Sequence, residues 1–291
     1  MATVFQSGRG IGAMALLLAG ALGTIGLVGC DRATGSTQPA EKAAVERIMV
    51  VGASTIAPLM SEIAKAYEQS HPGVRIEVQA GGSSRGVLDV RQGTAGIGMV
   101  SRELKSDEAD LKHVMIAQDG VGMIVHKDNP IQRFTKQQII DIYTGKLTNW
   151  RQLGGDDAPI TVVSKAEGRS TLDIFSHFFG VKYKDIKAHV VIGDNQQGIQ
   201  AVAGSPATVG YVSIGTAEYE AQHGAAIKLV PVDNQVPTTA AVAAGEYAIR
   251  RPLNLVFKEP LTATAKDLVQ FAQSRDASAL VKKQFFVPVA Q

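Results

Sequence analysis

The sequence predicts an α/β protein built on mostly parallel sheets. From residue 46 onward, short apolar β-branched runs alternate with segments of helical period, the pattern of βαβ units rather than of hairpins. Three of the strand-to-helix junctions are also rich in serine and threonine: Gly52-Ala53-Ser54-Thr55, Gly81-Gly82-Ser83-Ser84-Arg85-Gly86 and Gly168-Arg169-Ser170-Thr171. In a parallel sheet such junctions gather at the carboxyl ends of the strands, where ligands bind. A helix start adds free N–H groups and the positive end of the helix dipole. Any one junction reads equally well as plain helix capping; three meeting at one point suit a tetrahedral oxyanion.

Composition narrows the classes. A chain of 291 residues can form one large domain or two lobes of ordinary size. The net charge is +2 and no basic stripe occurs, which excludes nucleic acid as a partner and leaves anion selectivity to a local site. The six histidines are scattered, and neither H-E-x-x-H nor C-x-x-C is present. No metal and no cofactor is expected.

Residues 1–29 read as a signal peptide: Arg9 precedes the apolar run 13–22, which is short for a membrane span. The stretch Leu27-Val28-Gly29-Cys30 resembles a bacterial lipobox, and Cys30 is the only cysteine. The resemblance implies that Cys30 is acylated and anchors the protein to the membrane, at the periplasm or cell surface. Ordinary signal cleavage nearby is the alternative. Residues 30–45, small and polar with Gly35 and Pro39, read as a tether.

The elements then follow in order. Ile48, Val50 and Val51 form a buried strand, Gly52 turns the chain, and Pro58 sits in a first helical turn where a missing N–H is harmless. Leu59, Met60, Ile63, Ala66 and Tyr67 recur at helical spacing. An alternating strand over 74–78 leads through the second junction to a helix with Val87, Leu88 and Val90. The strand 96–100 runs directly into Ser101-Arg102. Apolar strands at 114–117 and 122–125 precede a turn signal, Asp128-Asn129-Pro130, and a crossing between lobes is expected just before it. A helix over 136–143 ends at Gly145, and Trp150, the only tryptophan, is expected in a core. The run 160–163 enters the third junction, whose helix carries Leu172, Ile174, Phe175, Phe178 and Phe179. Residues 190–192, 198–203 and 209–212 repeat the alternation. A long strand through 247–257 contains Pro252, which suits an edge or a crossing segment, and helices over 263–275 and 277–283 close the chain. Lobe 1 is therefore expected over 46–125 plus 250–291, and lobe 2 over 126–249.

Five motifs occur in a recognisable order: Gly52-Ala53-Ser54-Thr55-x-x-Pro58, Gly82-Ser83-Ser84-x-Gly86, Ile97-Gly98-Met99-x-Ser101-Arg102, Ile142-Tyr143-Thr144-Gly145-Lys146-x-x-x-Trp150 and Val209-Gly210-Tyr211. With the ending from Arg251-Pro252-Leu253 to Gln284-Phe285-Phe286-Val287-Pro288, the chain resembles the phosphate-binding proteins of ABC importers over about residues 48–289. The resemblance implies a two-lobed periplasmic-binding-protein fold of type II, with inorganic phosphate held in the cleft and delivered to ABC transporter permease subunits by a monomer. It implies a binding set of Ser54, Thr55, Ser83, Ser84, Ser101, Arg102, Lys165, Arg169, Ser170 and Thr171. Lys165 stands where the family often has arginine. Arg169-Ser170-Thr171 departs from the usual Ser-Gly-Thr. Arg102 stands near the position where some members place an aspartate that accepts the phosphate proton, and a guanidinium cannot accept one. Glu167 and Asp119 are candidate acceptors, each equally read as a surface or ion-paired carboxylate. Arg102 is expected to be the principal cation, because its backbone is fixed at the carboxyl edge of the sheet, whereas Arg85 and Arg169 adjoin glycines.

Two other readings stand beside this one. The same fold could bind another oxyanion, such as sulfate or molybdate, or serve in phosphate sensing. Gly82-Ser83-Ser84-Arg85-Gly86 also matches the G-x-S-x-G nucleophile elbow, with His177 or His189 to complete a serine hydrolase. Only two strands precede it, fewer than such an enzyme builds before its elbow.

Overall fold

The computed structural model describes residues 45–289. The signal peptide, Cys30 and nearly all of the tether expected over 30–45 lie outside the described residues. Two βαβ units open the fold: β1 (Glu46–Gly52), α1 (Ala57–Ser70), β2 (Val74–Ala80), α2 (Ser83–Gln92) and β3 (Ile97–Val100). A 15-residue strand, β4 (Lys112–His126), leads away from them. Next come α3 (Lys136–Tyr143), β5 (Thr161–Lys165), α4 (Ser170–Phe179), β6 (Val190–Ile192), α5 (Asn195–Ala203) and β7 (Thr208–Ser213). The chain continues through α6 (Ile214–Gln222), β8 (Ile227–Val230) and α7 (Thr239–Ala243) before β9 (Arg250–Phe257) returns, followed by α8 (Ala263–Ala272), α9 (Arg275–Lys283) and β10 (Val287–Pro288).

The strand order is β2-β1-β3-β9-β4-β7-β5-β6. At one end β1 pairs parallel with β2 and β3, and at the other β5 pairs parallel with β6 and β7. Between them β9 runs antiparallel to β3 and β4, and β4 antiparallel to β7. Each parallel set has its own core. In the first, Leu59, Met60, Ile63 and Tyr67 of α1 pack on Ile48, Val50, Ile97 and Leu255, with Leu268 and Val281 closing the layer. In the second, Ile139, Ile142, Tyr143, Phe175 and Tyr211 surround Met123 and Val125. Each such side chain contributes roughly 1.5–3 kcal/mol by leaving water. Trp150 is buried in this second core and donates from Nε1 to Ala207 O at 2.9 Å, a packing role.

The change of core falls at Gly120–Val121, not just before Asp128. Strands expected separately at 114–117 and 122–125 are one element, β4, with a bulge between Met115 and Ala117. Residues up to Gly120 pair with β9, while Val121 to Val125 pair with β7. The turn signal marks only where β4 ends: Asn129 N–H donates to His126 O, and Asn129 Oδ1 accepts from Ile131 N–H. A strand buried on both faces carries no composition change at the crossing, so nothing local in the sequence announces it. The return crossing lies between Ile249, in the second core, and Leu253, in the first.

Candidate anion-binding site

The first two Ser/Thr junctions are held together by glycine. Gly52 has φ +148°, and a Cβ there would lie 2.2 Å from Met99 O, so only glycine lets β1 turn this close to β3. Gly52 O then accepts both Gly81 N–H and Gly82 N–H at 2.8 Å, fixing the second junction beside the first. Gly82, at φ +94°, precedes α2, whose first residue is Ser83. Ser83 Oγ accepts Ser101 N–H at 3.1 Å, which brings the end of β3 to the same place. The capping expected of Ser54 does not occur: the residue before α1 is Ile56, with no side-chain cap. In the other lobe α4 starts at Ser170, again uncapped by a side chain. The N–H groups of its first turn have no intrahelical acceptor by geometry.

These junctions surround a small cavity, with room for about one water-sized sphere, lined by Ala53, Ser54, Thr55, Gly82, Ser83, Ser101, Lys165, Arg169, Ser170, Thr171 and Gly193. Eight of the ten expected binding residues are among these; Ser84 and Arg102 are not. The two sides touch around it: Ser170 Oγ donates to Ser83 Oγ, Asn195 Nδ2 donates to Thr55 Oγ1 at 3.2 Å, and Ser84 N–H donates to Gly168 O at 3.3 Å.

Arg102 is placed differently from the expectation. It follows β3 and is buried, but both its Nη atoms donate to the two oxygens of Glu108 at 2.7 Å, and Nη1 also donates to Glu103 O. Burial pushes the Glu108 carboxyl up, but the Arg102 bonds and the Lys105 N–H outweigh it and hold the group below the usual carboxylate range. The cation facing the cavity hydroxyls is Arg251 on β9. Its Nη1 donates to Thr171 Oγ1 at 3.0 Å and Ser101 Oγ at 3.4 Å, and its Nη2 donates to Thr55 Oγ1 at 3.0 Å. Asp119 Oδ2 balances it, accepting from Nε and Nη2 at 3.1 and 2.9 Å, and Asp119 Oδ1 accepts Gly215 N–H. Sequence reasoning missed Arg251 as a site residue. The available signal was the pair Arg250-Arg251 beside Pro252 at the start of a strand that ends in the apolar Leu255-Val256-Phe257.

Lys165, at the end of β5, is buried and donates from Nζ to Asp194 O at 2.6 Å and Asn195 Oδ1 at 3.1 Å. Burial pushes its ammonium down to about 7; Asp194 opposes this, while Arg251 and Arg169 add to it. Arg169 lies against Gly82: a Cβ there would meet its Cδ at 2.9 Å. Glu167 is exposed, and it does not line the cavity. No histidine lines the cavity either, and His189 Nδ1 accepts Val162 N–H on the far side of β5. Ser84 itself does not line the cavity, and no histidine there can pair with it. The arrangement can surround a small anion with two ammonium or guanidinium groups from one lobe, Arg251 from β9 behind the hydroxyls, and hydroxyls from both lobes.

The chain resembles known proteins over most of its length. The phosphate-binding protein PstS of Bacillus subtilis is 27% identical over 283 residues, covering 94% of this chain and 90% of that one. A putative phosphate ABC transporter substrate-binding protein with bound phosphate from Clostridium perfringens superposes with a TM-score of 0.78 at 35% identity, over 84% of this chain and 100% of that one. An ABC-type phosphate transport receptor from Vibrio cholerae gives a TM-score of 0.67 at 28% identity, over 83% of this chain and all of the other. The regulatory domain of OxyR2 from Vibrio vulnificus, at 13% identity and a TM-score of 0.53, shares the fold alone. The model of the PBP superfamily domain matches residues 37–276, and with it this chain belongs to that superfamily, in its two-lobed type II form.

Proposed function

We propose that this protein captures inorganic phosphate in the cavity between its lobes and delivers it to an ABC importer. The observation that carries the reading is the cavity itself: Ser54, Thr55, Ser83 and Ser101 from one side face Lys165, Arg169, Ser170 and Thr171 from the other, with Arg251 bonded to both. A relative of 35% identity described with bound phosphate supports the ligand, and the names of the other relatives support the transport role. Capture requires no covalent step. The lobes close over a dehydrated anion by bending where β4 and β9 cross, and the closed form docks on the permease subunits as a monomer. Calorimetric titration of the purified protein with phosphate is the test; absence of binding would overturn the reading.

The location proposed is extracytoplasmic, with a lipid on Cys30 as anchor. No helix among the described residues is long and apolar enough to cross a membrane. Cys30→Ser is expected to release the protein from the membrane fraction and to remove the acyl mass in mass spectrometry.

A further inference from the structure

Beside the cavity a second set of charges meets across the two lobes. Asp173 lies in the first turn of α4, just beyond Thr171, which lines the cavity. Its Oδ2 is 3.6 Å from Arg102 Nε and 3.5 Å from Lys105 Nζ. Arg102 and Lys105 follow β3 in the first lobe, whereas α4 packs in the second core. Glu108 takes both Nη atoms of Arg102 and leaves Nε facing Asp173. Arg102 Nε and Asp173 Oδ2 are both buried, and neither has a hydrogen-bond partner. Arg102, Lys105 and Asp173 line one crevice, with Leu104 on one wall and Ile174 and His177 on the other.

Two ordinary roles do not account for Asp173. A carboxylate in a first turn favours its own helix, but that asks for no cation from the other lobe. Nor does it help to hold an anion: the same turn carries Ser170 and Thr171 into the cavity, and a negative charge so close repels the ligand. We propose that Asp173 is a closure latch: its contacts with Arg102 and Lys105 form only when the lobes meet, and must break before a captured anion can leave. The inference rests on the phosphate-capture reading. The lobes join through β4 and β9, so parting them separates Asp173 from both cations. The Arg102–Glu108 pair lies within the first lobe and stays whole. The latch shifts the ligand-free protein toward its closed form, and affinity rises by that shift. The Asp173 side chain is 38% exposed, so its two contacts are partly screened ion pairs, together about three- to tenfold in affinity. Lys105 still holds Asp173 when Arg102 is absent, which keeps the effect of losing Arg102 alone small.

Asp173→Asn in the full-length protein in detergent tests this, with phosphate affinity read by calorimetry and the escape of radiolabelled phosphate read by dilution into unlabelled phosphate. Affinity is expected to fall about three- to tenfold, carried by faster escape. Asp173→Glu keeps the charge and is expected to retain most of the affinity. In a Lys105→Met background, Asp173→Asn is expected to cost less than in the wild type. The proposal is overturned if Asp173→Asn leaves affinity unchanged or raises it, because removing a charge beside the anion can by itself only tighten binding. Full additivity with Lys105→Met overturns it too. If the wild type binds no phosphate, the capture reading fails alone, and X-ray scattering of the ligand-free chain decides the latch: the radius of gyration must rise in Asp173→Asn, and an equal radius overturns it.

Discussion

Arg102 and Arg251 sit one strand apart, both buried and both paired with a carboxylate; neither lines the cavity, yet only Arg251 is bonded to the hydroxyls that do. Glu108 meets Arg102 head-on, with one carboxylate oxygen on each Nη at 2.7 Å. Asp119 meets Arg251 from the side, with a single oxygen on Nε and Nη2. Head-on pairing consumes the fork that would grip an oxyanion. Side-on pairing balances the charge and leaves Nη1 and the far side of Nη2 aimed at Thr171, Ser101 and Thr55. A cation at the right edge of the sheet is therefore not yet a ligand for anions; the direction from which its counter-ion approaches decides.

The largest test of this contrast is Arg251→Ala. It removes the fork bonded to the cavity hydroxyls and strands Asp119 as a buried unpaired charge, which costs about 3–5 kcal/mol of stability. Phosphate affinity is expected to fall more than about a hundredfold, with a lowered thermal midpoint in the same sample. Retained affinity would show that the hydroxyls, not Arg251, hold the anion. Arg169→Ser comes next. Arg169 is the one arginine among the described residues that is neither exposed nor given an acceptor, so its loss should leave stability unchanged. A charge-assisted bond contributes about 1.5–3 kcal/mol, so titration should show a ten- to hundredfold loss of phosphate affinity, and an unchanged constant would place its guanidinium in solvent. Arg102→Ala is expected to do the opposite: stability drops because Glu108 loses its partner, while phosphate affinity changes less than about threefold. A larger loss of binding would mean that Arg102 swings to the ligand when the lobes close.

Much of this site is legible in the sequence, and the missing part has a physical cause. Ser54, Thr55, Ser83 and the 169–171 segment announce themselves because strand, glycine, hydroxyl and helix follow one another locally. Ser101 is found through the strand that feeds it. Arg102 is misplaced because its partner Glu108 lies six residues away in a single 3-10 turn, Ser106–Glu108, too short to give a periodic signal. Arg251 is missed because its partners lie 80 to 196 residues away in sequence, at Thr171, Asp119, Ser101 and Thr55. The lobes are legible from alternation, but their crossing inside β4 is not, since Val121 to Val125 are as apolar and buried as a strand wholly within one lobe.

The smallest expected effect concerns Lys165, a buried lysine whose Nζ is bonded to Asp194 O and Asn195 Oδ1 and to no carboxylate. Burial holds its ammonium at about 7, against an ordinary 10.5. In the unfolded chain the amine keeps its proton across that interval, so without ligand Lys165 makes stability rise with pH between about 7 and 10.5 and adds no slope below 7. An anion in the cavity reverses the preference, because an opposite charge beside the amine favours its charged form. Binding above pH 7 must then be accompanied by proton uptake, and affinity should fall as pH rises, by no more than about tenfold per unit. At about pH 8, where phosphate is mainly dianionic, calorimetric enthalpies in buffers of different ionisation heat should differ by a fraction of one proton taken up. Lys165→Met should remove that buffer dependence while weakening binding. If the wild-type enthalpy is the same in every buffer, Lys165 is already charged before the anion arrives, and its two acceptors, Asp194 O and Asn195 Oδ1, outweigh its burial.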